Sequence, residues 1–343
     1  MRRLQLSIAT LLTFVAAPAA APAAPTTIAG LHGQSPVRAF AAVQTWTDFS
    51  IVARRWHVFV RRGGTISAPP AIAPGDGRLK VDVGPGPGAK PMLAYIDCAN
   101  SCRVVLSDLD GANARAVPGS QHATSVSVDG SRVAWVRGRN SVRVRDLKAN
   151  STVAVAGAPR RKCWTPFRQV IPGKGRVTPP PRCETTTGAS VDDVELDGSR
   201  LALIVSYQLA HGGGSNGTTE VRVESVRGGA QRLIALMNVG EGQQTWIGPS
   251  WVGHDLFFYR SCPFACPRQE GAYRYDPDRR IYAYAPASIA ISGFAMDSDA
   301  VHAFEVLGLF GGREDSAGEI ENPLQRSGRL SFHRTRPPIA GLG

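Results

Sequence analysis

The sequence predicts an all-β protein folded as a single β-propeller, six four-stranded blades being the leading count and five or seven the alternatives. Three observations predict it. Two stretches, Ser127-Val128-Asp129-Gly130-Ser131-Arg132-Val133-Ala134-Trp135-Val136 and Glu195-Leu196-Asp197-Gly198-Ser199-Arg200-Leu201-Ala202-Leu203-Ile204, share one pattern of strand, Asp-Gly turn and strand. Degraded copies recur at Val83 to Ile96, Trp251 to Phe258 and Ala295 to His302, and the base period of about 40 to 45 residues is that of a propeller blade. Helical periodicity is almost absent, which argues against helical repeats of similar length.

Each element follows from local chemistry. Asp-Gly supplies the positive-φ positions of a tight hairpin, and the residues after it are β-branched, aliphatic or aromatic. Third strands are expected at Ser141 to Arg145, Glu220 to Glu224 and Gly271 to Tyr275, and fourth strands at Thr152 to Ala156, Gln231 to Leu236 and Ile281 to Ala285. The blades then span about 35–75, 76–120, 121–158, 188–238, 243–287 and 288–340. A strand from Thr26 to Ala29 would close the ring if it joins the last blade. The expected organisation is a signal peptide over 1–23, an N-terminal segment over 24–34, and a propeller over 35–343 with an inserted basic loop at 158–187.

The leader reading rests on Arg2 and Arg3, an apolar run from Leu4 to Ala17, and small residues up to a cleavage point near Ala23. The run is too short to span a bilayer, so no transmembrane segment is expected after cleavage and the chain is expected to be secreted or periplasmic. Six cysteines agree with export, because disulfides persist in oxidising compartments. They are expected to pair as Cys98 with Cys102, Cys163 with Cys183, and Cys262 with Cys266. Zinc usually takes ligands two residues apart, and three intervene in each close pair, so no metal or other cofactor is expected. The net charge of +12 favours anionic partners, although the excess of Arg over Lys in an Ala-, Gly- and Pro-rich chain is also what a GC-rich genome produces.

The Asp-Gly-Ser-Arg-Val-Ala-Trp unit resembles the repeats of TolB-like exported bacterial propellers. Those repeats often carry Ser-Pro-Asp-Gly, whereas Val128 and Leu196 stand at the proline position here. The resemblance implies the fold and, by default, a scaffold or binding role; it names no ligand.

Strands of a blade alternate in direction outward from the axis, so connections from second to third strand open on the same face as connections between blades. The long loops and all three expected disulfides fall on that face, where binding residues concentrate on a rigid scaffold. The segment from Arg160 to Cys183 is the sharpest feature. It carries Arg160, Arg161, Lys162, Arg168, Lys174, Arg176 and Arg182, with no Asp or Glu between Asp146 and Glu184, and Trp164 lies among the charges. Guanidinium forks bind phosphate and carboxylate, and aromatic rings add a stacking surface. These residues and His211, in the loop after the fourth blade's second strand, are the expected ligand contacts.

Catalytic motifs are weak. His211-Gly212-Gly213-Gly214 and Gly213-Gly214-Ser215-Asn216-Gly217 resemble esterase motifs, but they overlap in one glycine-rich hairpin loop, whereas an esterase keeps them apart and puts its nucleophile before a helix. Asp108-Leu109-Asp110-Gly111 and Asp297-Ser298-Asp299 read as turns, since neither continues into a full calcium loop. No catalytic residue is assigned. The expected function is a monomeric, secreted binding or scaffold protein that uses its disulfide-bearing face to hold an extracytoplasmic protein or an anionic polymer, with no specific nucleic-acid recognition. The alternative is a propeller lyase or hydrolase acting on carbohydrate or peptide at the same face, marked by acidic or histidine side chains converging on the axis.

Overall fold

The computed structural model describes residues 26–32, 36–77, 79–164, 169–171, 175–177, 180–209, 217–239, 245–261, 271–277, 281–286, 291–297, 302–307 and 328–334. Strand β1 (Thr26–Leu31) precedes the first blade, β2 (Val37–Phe40), β3 (Val43–Ser50), β4 (Arg55–Arg62) and β5 (Thr65–Ser67). The second is β6 (Val81–Pro85), β7 (Pro91–Asp97), β8 (Arg103–Ser107) and β9 (Arg115–Ala116). The third is β10 (Ala123–Asp129), β11 (Arg132–Arg137), β12 (Ser141–Asp146) and β13 (Ser151–Gly157). Strand β14 (Arg161–Trp164) and the hairpin of β15 (Gln169–Ile171) and β16 (Gly175–Val177) follow, ahead of β17 (Arg182–Asp197), β18 (Arg200–Leu209), β19 (Gly217–Ser225) and β20 (Arg232–Val239). Next come β21 (Thr245–Val252), β22 (Asp255–Ser261), β23 (Gly271–Asp276) and β24 (Ile281–Pro286), then β25 (Ile291–Met296), β26 (His302–Leu307) and β27 (Gly328–Arg334). Beside β27 lies β1, antiparallel, with Thr26 facing Phe332 and Leu31 facing Gly328.

The expectation of six four-stranded blades is corrected. Five sheets have four strands, and the sheet built on β17 has five, in the order β14-β17-β18-β19-β20. The reason is the length of β17, which runs for 16 residues. Its pairing with β18 begins only at Thr186, so Arg182 to Thr185 would leave ladder groups open, and β14 pairs with them. The innermost strands β2, β6, β10, β17, β21 and β25 touch in that order, and β25 touches β2 again, which closes the ring.

The core lies between neighbouring sheets, because each strand points alternate side chains to opposite faces. Leu106 and Ile96 of the second blade pack against Val126 and Trp135 of the third, and Val136 and Val144 pack against Val194 and Leu203 of the fourth. Among the described residues Trp46 and Trp135 are the largest fully buried side chains.

The repeated Asp-Gly-Ser-Arg unit works as a clamp between blades, and its turn sits one residue later than expected. Asp129 pairs with Arg132, and Asp197 with Arg200, leaving Gly130-Ser131 and Gly198-Ser199 as the loops, with φ of 60° and 54° at the two glycines. The aspartate is thereby free to reach outward: Asp129 accepts from the Gly198 amide of the next blade. Arg132 donates to the Gly198 carbonyl, and Arg200 donates likewise to the carbonyls of Gly253 and His254 in the blade after that.

Candidate functional site

Two concentrations of charge stand out, one on the axis and one on the inserted ribbon. The axial group begins with strand alternation. Val126, Val128, Val194 and Leu196 are buried in the sheet packing, so Ser125, Ser127, Asp193 and Glu195 face the opposite way, toward the axis. Arg38 from β2 meets them there. Its Nη2 donates to both oxygens of Asp193 at 2.6 and 2.7 Å, and its Nε lies 3.5 Å from Glu195 and 3.7 Å from Asp82 of β6. Ser125 donates to Asp193 at 2.9 Å, and the Val128 amide donates to Asp82 at 2.7 Å.

The electrostatics follow from burial. Side-chain exposure is 5% for Arg38, 2% for Asp82, 13% for Asp193 and 17% for Glu195. Burial alone would lower the guanidinium pKa, but Asp193, Glu195 and Asp82 together outweigh it and raise it. Burial would raise Asp193, and Arg38, Lys80 and the serine hydrogen bond reverse that, leaving it lowered. Glu195 is pushed well above the carboxylate range by burial and by Asp82. Asp82 is raised by burial, with Arg38 and the Val128 amide opposing. One strand therefore carries two carboxyl groups, two residues apart, whose pKa values are pushed in opposite directions. Among the described residues no group of three or more His, Cys, Asp and Glu side chains is arranged to hold a metal.

The ribbon pairs Arg161 with Thr185, Lys162 with Glu184, Cys163 with Cys183 and Trp164 with Arg182. Cys163 and Cys183 are disulfide-bonded with Cα atoms 4.0 Å apart, and Cys98 and Cys102 are also bonded. The base of the ribbon is tied to its surroundings: the Thr186 amide donates to the Arg160 carbonyl at 3.1 Å, and the Ala158 amide to Asn140 at 2.9 Å. The Asn140 turn also brings in Arg139, whose carbonyl accepts from the Val191 amide at 2.6 Å.

The expected ligand residues that the structure describes separate into three groups. Arg160, Arg161 and Arg182 are exposed, with no side-chain hydrogen bond or ion pair among the described residues. Lys162 is committed inside: its ammonium is paired with Glu220, which is fully buried and also accepts from Tyr207 at 2.6 Å and from Arg222 Nε at 2.6 Å. Burial opposes ionisation of Glu220, yet these donors hold its pKa down, and burial together with the Glu220 hydrogen bond raises that of Tyr207. Trp164 and Arg176 belong to strands β14 and β16, where Arg176 faces Val170 across the hairpin. Arg168, Lys174, His211, Cys262 and Cys266 lie outside the described residues.

Sequence reasoning missed the axial group and Glu220. The alternation Ser125-Val126-Ser127-Val128 and Asp193-Val194-Glu195-Leu196 was the available signal for the first. For the second there was none, because Glu220 is 58 residues from Lys162.

No family model matches the chain, and no curated protein matches it. Among solved structures it is similar to a chain of the mitotic checkpoint complex, at 11% identity and a TM-score of 0.46, covering 95% of this chain and 99% of that one. It is similar to the WD40 repeats of RRP9 at 9% identity and a TM-score of 0.48, covering 92% and 99%. It is similar also to an oligogalacturonate lyase in complex with manganese, at 12% identity and a TM-score of 0.43, covering 78% and 69%. These likenesses carry no argument about ligand or activity; the propeller is read from the strand order and the closed ring. Among the described residues no helix is long and apolar enough to cross a membrane.

Proposed function

We propose that this chain is an exported, TolB-like propeller that acts as a binding or scaffold protein, holding an anionic partner on the ribbon formed around the Cys163–Cys183 disulfide. The observation that carries the reading is the exposure of Arg160, Arg161 and Arg182 on a covalently closed ribbon, whose base is hydrogen-bonded to the turn that carries exposed Arg139. Like charges held close on a surface repel one another, and an incoming polyanion relieves that repulsion. Strand alternation supports placing both disulfides on one face, since Cys98–Cys102 lies between β7 and β8 and Cys163–Cys183 lies between the third and fourth blades.

The test is retention on a heparin column over a salt gradient. The double variant Arg160→Ala/Arg161→Ala is expected to elute at distinctly lower salt than the wild type, because exposed contacts are individually modest and screened. Equal elution of the two proteins overturns the reading.

One observation favours the alternative, a lyase or hydrolase: Asp193 and Glu195 are acidic groups on the axis with opposed protonation tendencies, as a base and an acid require. On that reading Glu195→Gln abolishes turnover of carbohydrate or peptide substrates while heparin retention stays.

A further inference from the structure

Where the first two blades meet, the outer strand fails. After β5 the chain reads Ala68-Pro69-Pro70-Ala71-Ile72-Ala73-Pro74. Three prolines have no amide to give to the ladder, so the strand cannot continue beside β4. The chain returns to β4 only at Gly75, which exchanges two backbone hydrogen bonds with Trp56 at 2.8 and 2.9 Å. The interruption leaves a cavity of about 480 Å³ between this segment and the second strand of the next blade, within the usual range of small-molecule pockets.

The lining has two characters. Ile72 and Leu79, both buried, and the ring of Tyr95 give an apolar wall, while Arg55, Asp76 and Asp97 stand around it. Tyr95 is 7% exposed, lines the cavity, and its hydroxyl makes no hydrogen bond among the described residues. Burial first and the Asp97 carboxylate second raise its pKa, so the phenol remains a donor at neutral pH. The charges cancel in pairs: Arg55 with Asp76 at 3.2 Å, and Arg103 with Asp97 at 3.4 Å. Among the described residues neither pair leaves an unmatched cation at the mouth for an anionic ligand.

We infer that this cavity is a binding site for a neutral carbohydrate, a pyranose unit or short oligosaccharide, separate from the ribbon. A pyranose has an apolar C–H face suited to Tyr95, Ile72 and Leu79, and a rim of hydroxyls that both donate to carboxylates and accept from a phenol or guanidinium. An anionic polymer would meet Asp76 and Asp97. The Cys98–Cys102 disulfide fixes the loop at the mouth, since Cys98 and Ala99 line it.

The experiment is ligand-observed NMR titration of the purified protein with cellobiose and N,N′-diacetylchitobiose, and with a sulfated heparin disaccharide as the charged control. At least one neutral disaccharide is expected to bind saturably. Tyr95→Phe, which keeps the ring, is expected to weaken it roughly fivefold, the worth of one hydrogen bond. Ala73→Phe, which fills the cavity from an exposed position, is expected to abolish it. If Ala73→Phe does not fold, Tyr95→Phe alone decides. Failure of both neutral disaccharides to bind, binding by the sulfated one alone, or wild-type affinity in Tyr95→Phe overturns the inference. Heparin retention should be the same in both variants and the wild type, so failure here is distinct from failure of the ribbon reading.

Discussion

The axis and the ribbon both gather charge, but in opposite environments. On the axis, three largely buried carboxylates share Arg38; on the ribbon, Arg160, Arg161 and Arg182 face solvent with no carboxylate paired to them among the described residues. Buried charges must be matched internally, so the axial set fastens strands β2, β6, β10 and β17 to one another. Exposed charges need no match and remain available to something else. Lys162 shows both rules within one strand, being adjacent to Arg161 in sequence yet drawn inside by Glu220.

The largest effect should come from breaking the axial match. Arg38→Ala removes the guanidinium that Asp82, Asp193 and Glu195 share, leaving Lys80 to act on Asp193 alone, and removing one partner of a buried pair costs about 3–5 kcal/mol. Urea unfolding should show that loss in the transition midpoint. A loss below about 1 kcal/mol would mean that the axis is well hydrated. Next in size is Lys162→Ala, which strips one donor from buried Glu220 and should cost about 1–3 kcal/mol. Heparin retention should change less than in Arg160→Ala/Arg161→Ala. That double variant should itself stay within about 0.5 kcal/mol of the wild type in the same unfolding experiment.

A pH-graded effect sharpens the comparison. Glu195 has its folded pKa raised above the ordinary 4.5, so the native state binds that proton more readily than the unfolded chain. Its stabilising share is fully present below the ordinary value and is lost as pH rises through the folded one. Glu195→Gln fixes the neutral form, so its melting temperature should gain on the wild type as pH rises from acid to neutral. A constant difference across that range would remove the proton from the account. Asp193 and Glu220, both lowered, act in the other direction and weaken the fold as pH falls.

Much of the fold was legible because each blade is local. A hairpin such as Ser127 to Val136 declares its own strands and turn, and the expected third and fourth strands overlap β12, β13, β19, β20, β23 and β24. The fifth strand of the β17 sheet was not legible, since Arg161-Lys162-Cys163-Trp164 has no apolar alternation and is a strand only because β17 overruns β18. The two-residue loops were placed one position early, because the role of Asp129 lies in the next blade and not in its own turn. The cavity could have been anticipated from Pro69, Pro70 and Pro74, which forbid a full outer strand. Its polar lining could not, since Arg55, Asp76 and Tyr95 come together only when two blades meet.

The pairing of β1 with β27 has a consequence in time. The first strand of the ring to be synthesised waits for a partner in the last blade, with Thr26 facing Phe332. Until then the ring is an open arc with bare strand edges at both ends, and such edges recruit other chains. Contacts this distant in sequence are slow to form, so the closing pair should be the last native contact to appear during refolding. A chain shortened at either end would keep its blades and lose its latch, favouring closure against the free edge of a second molecule.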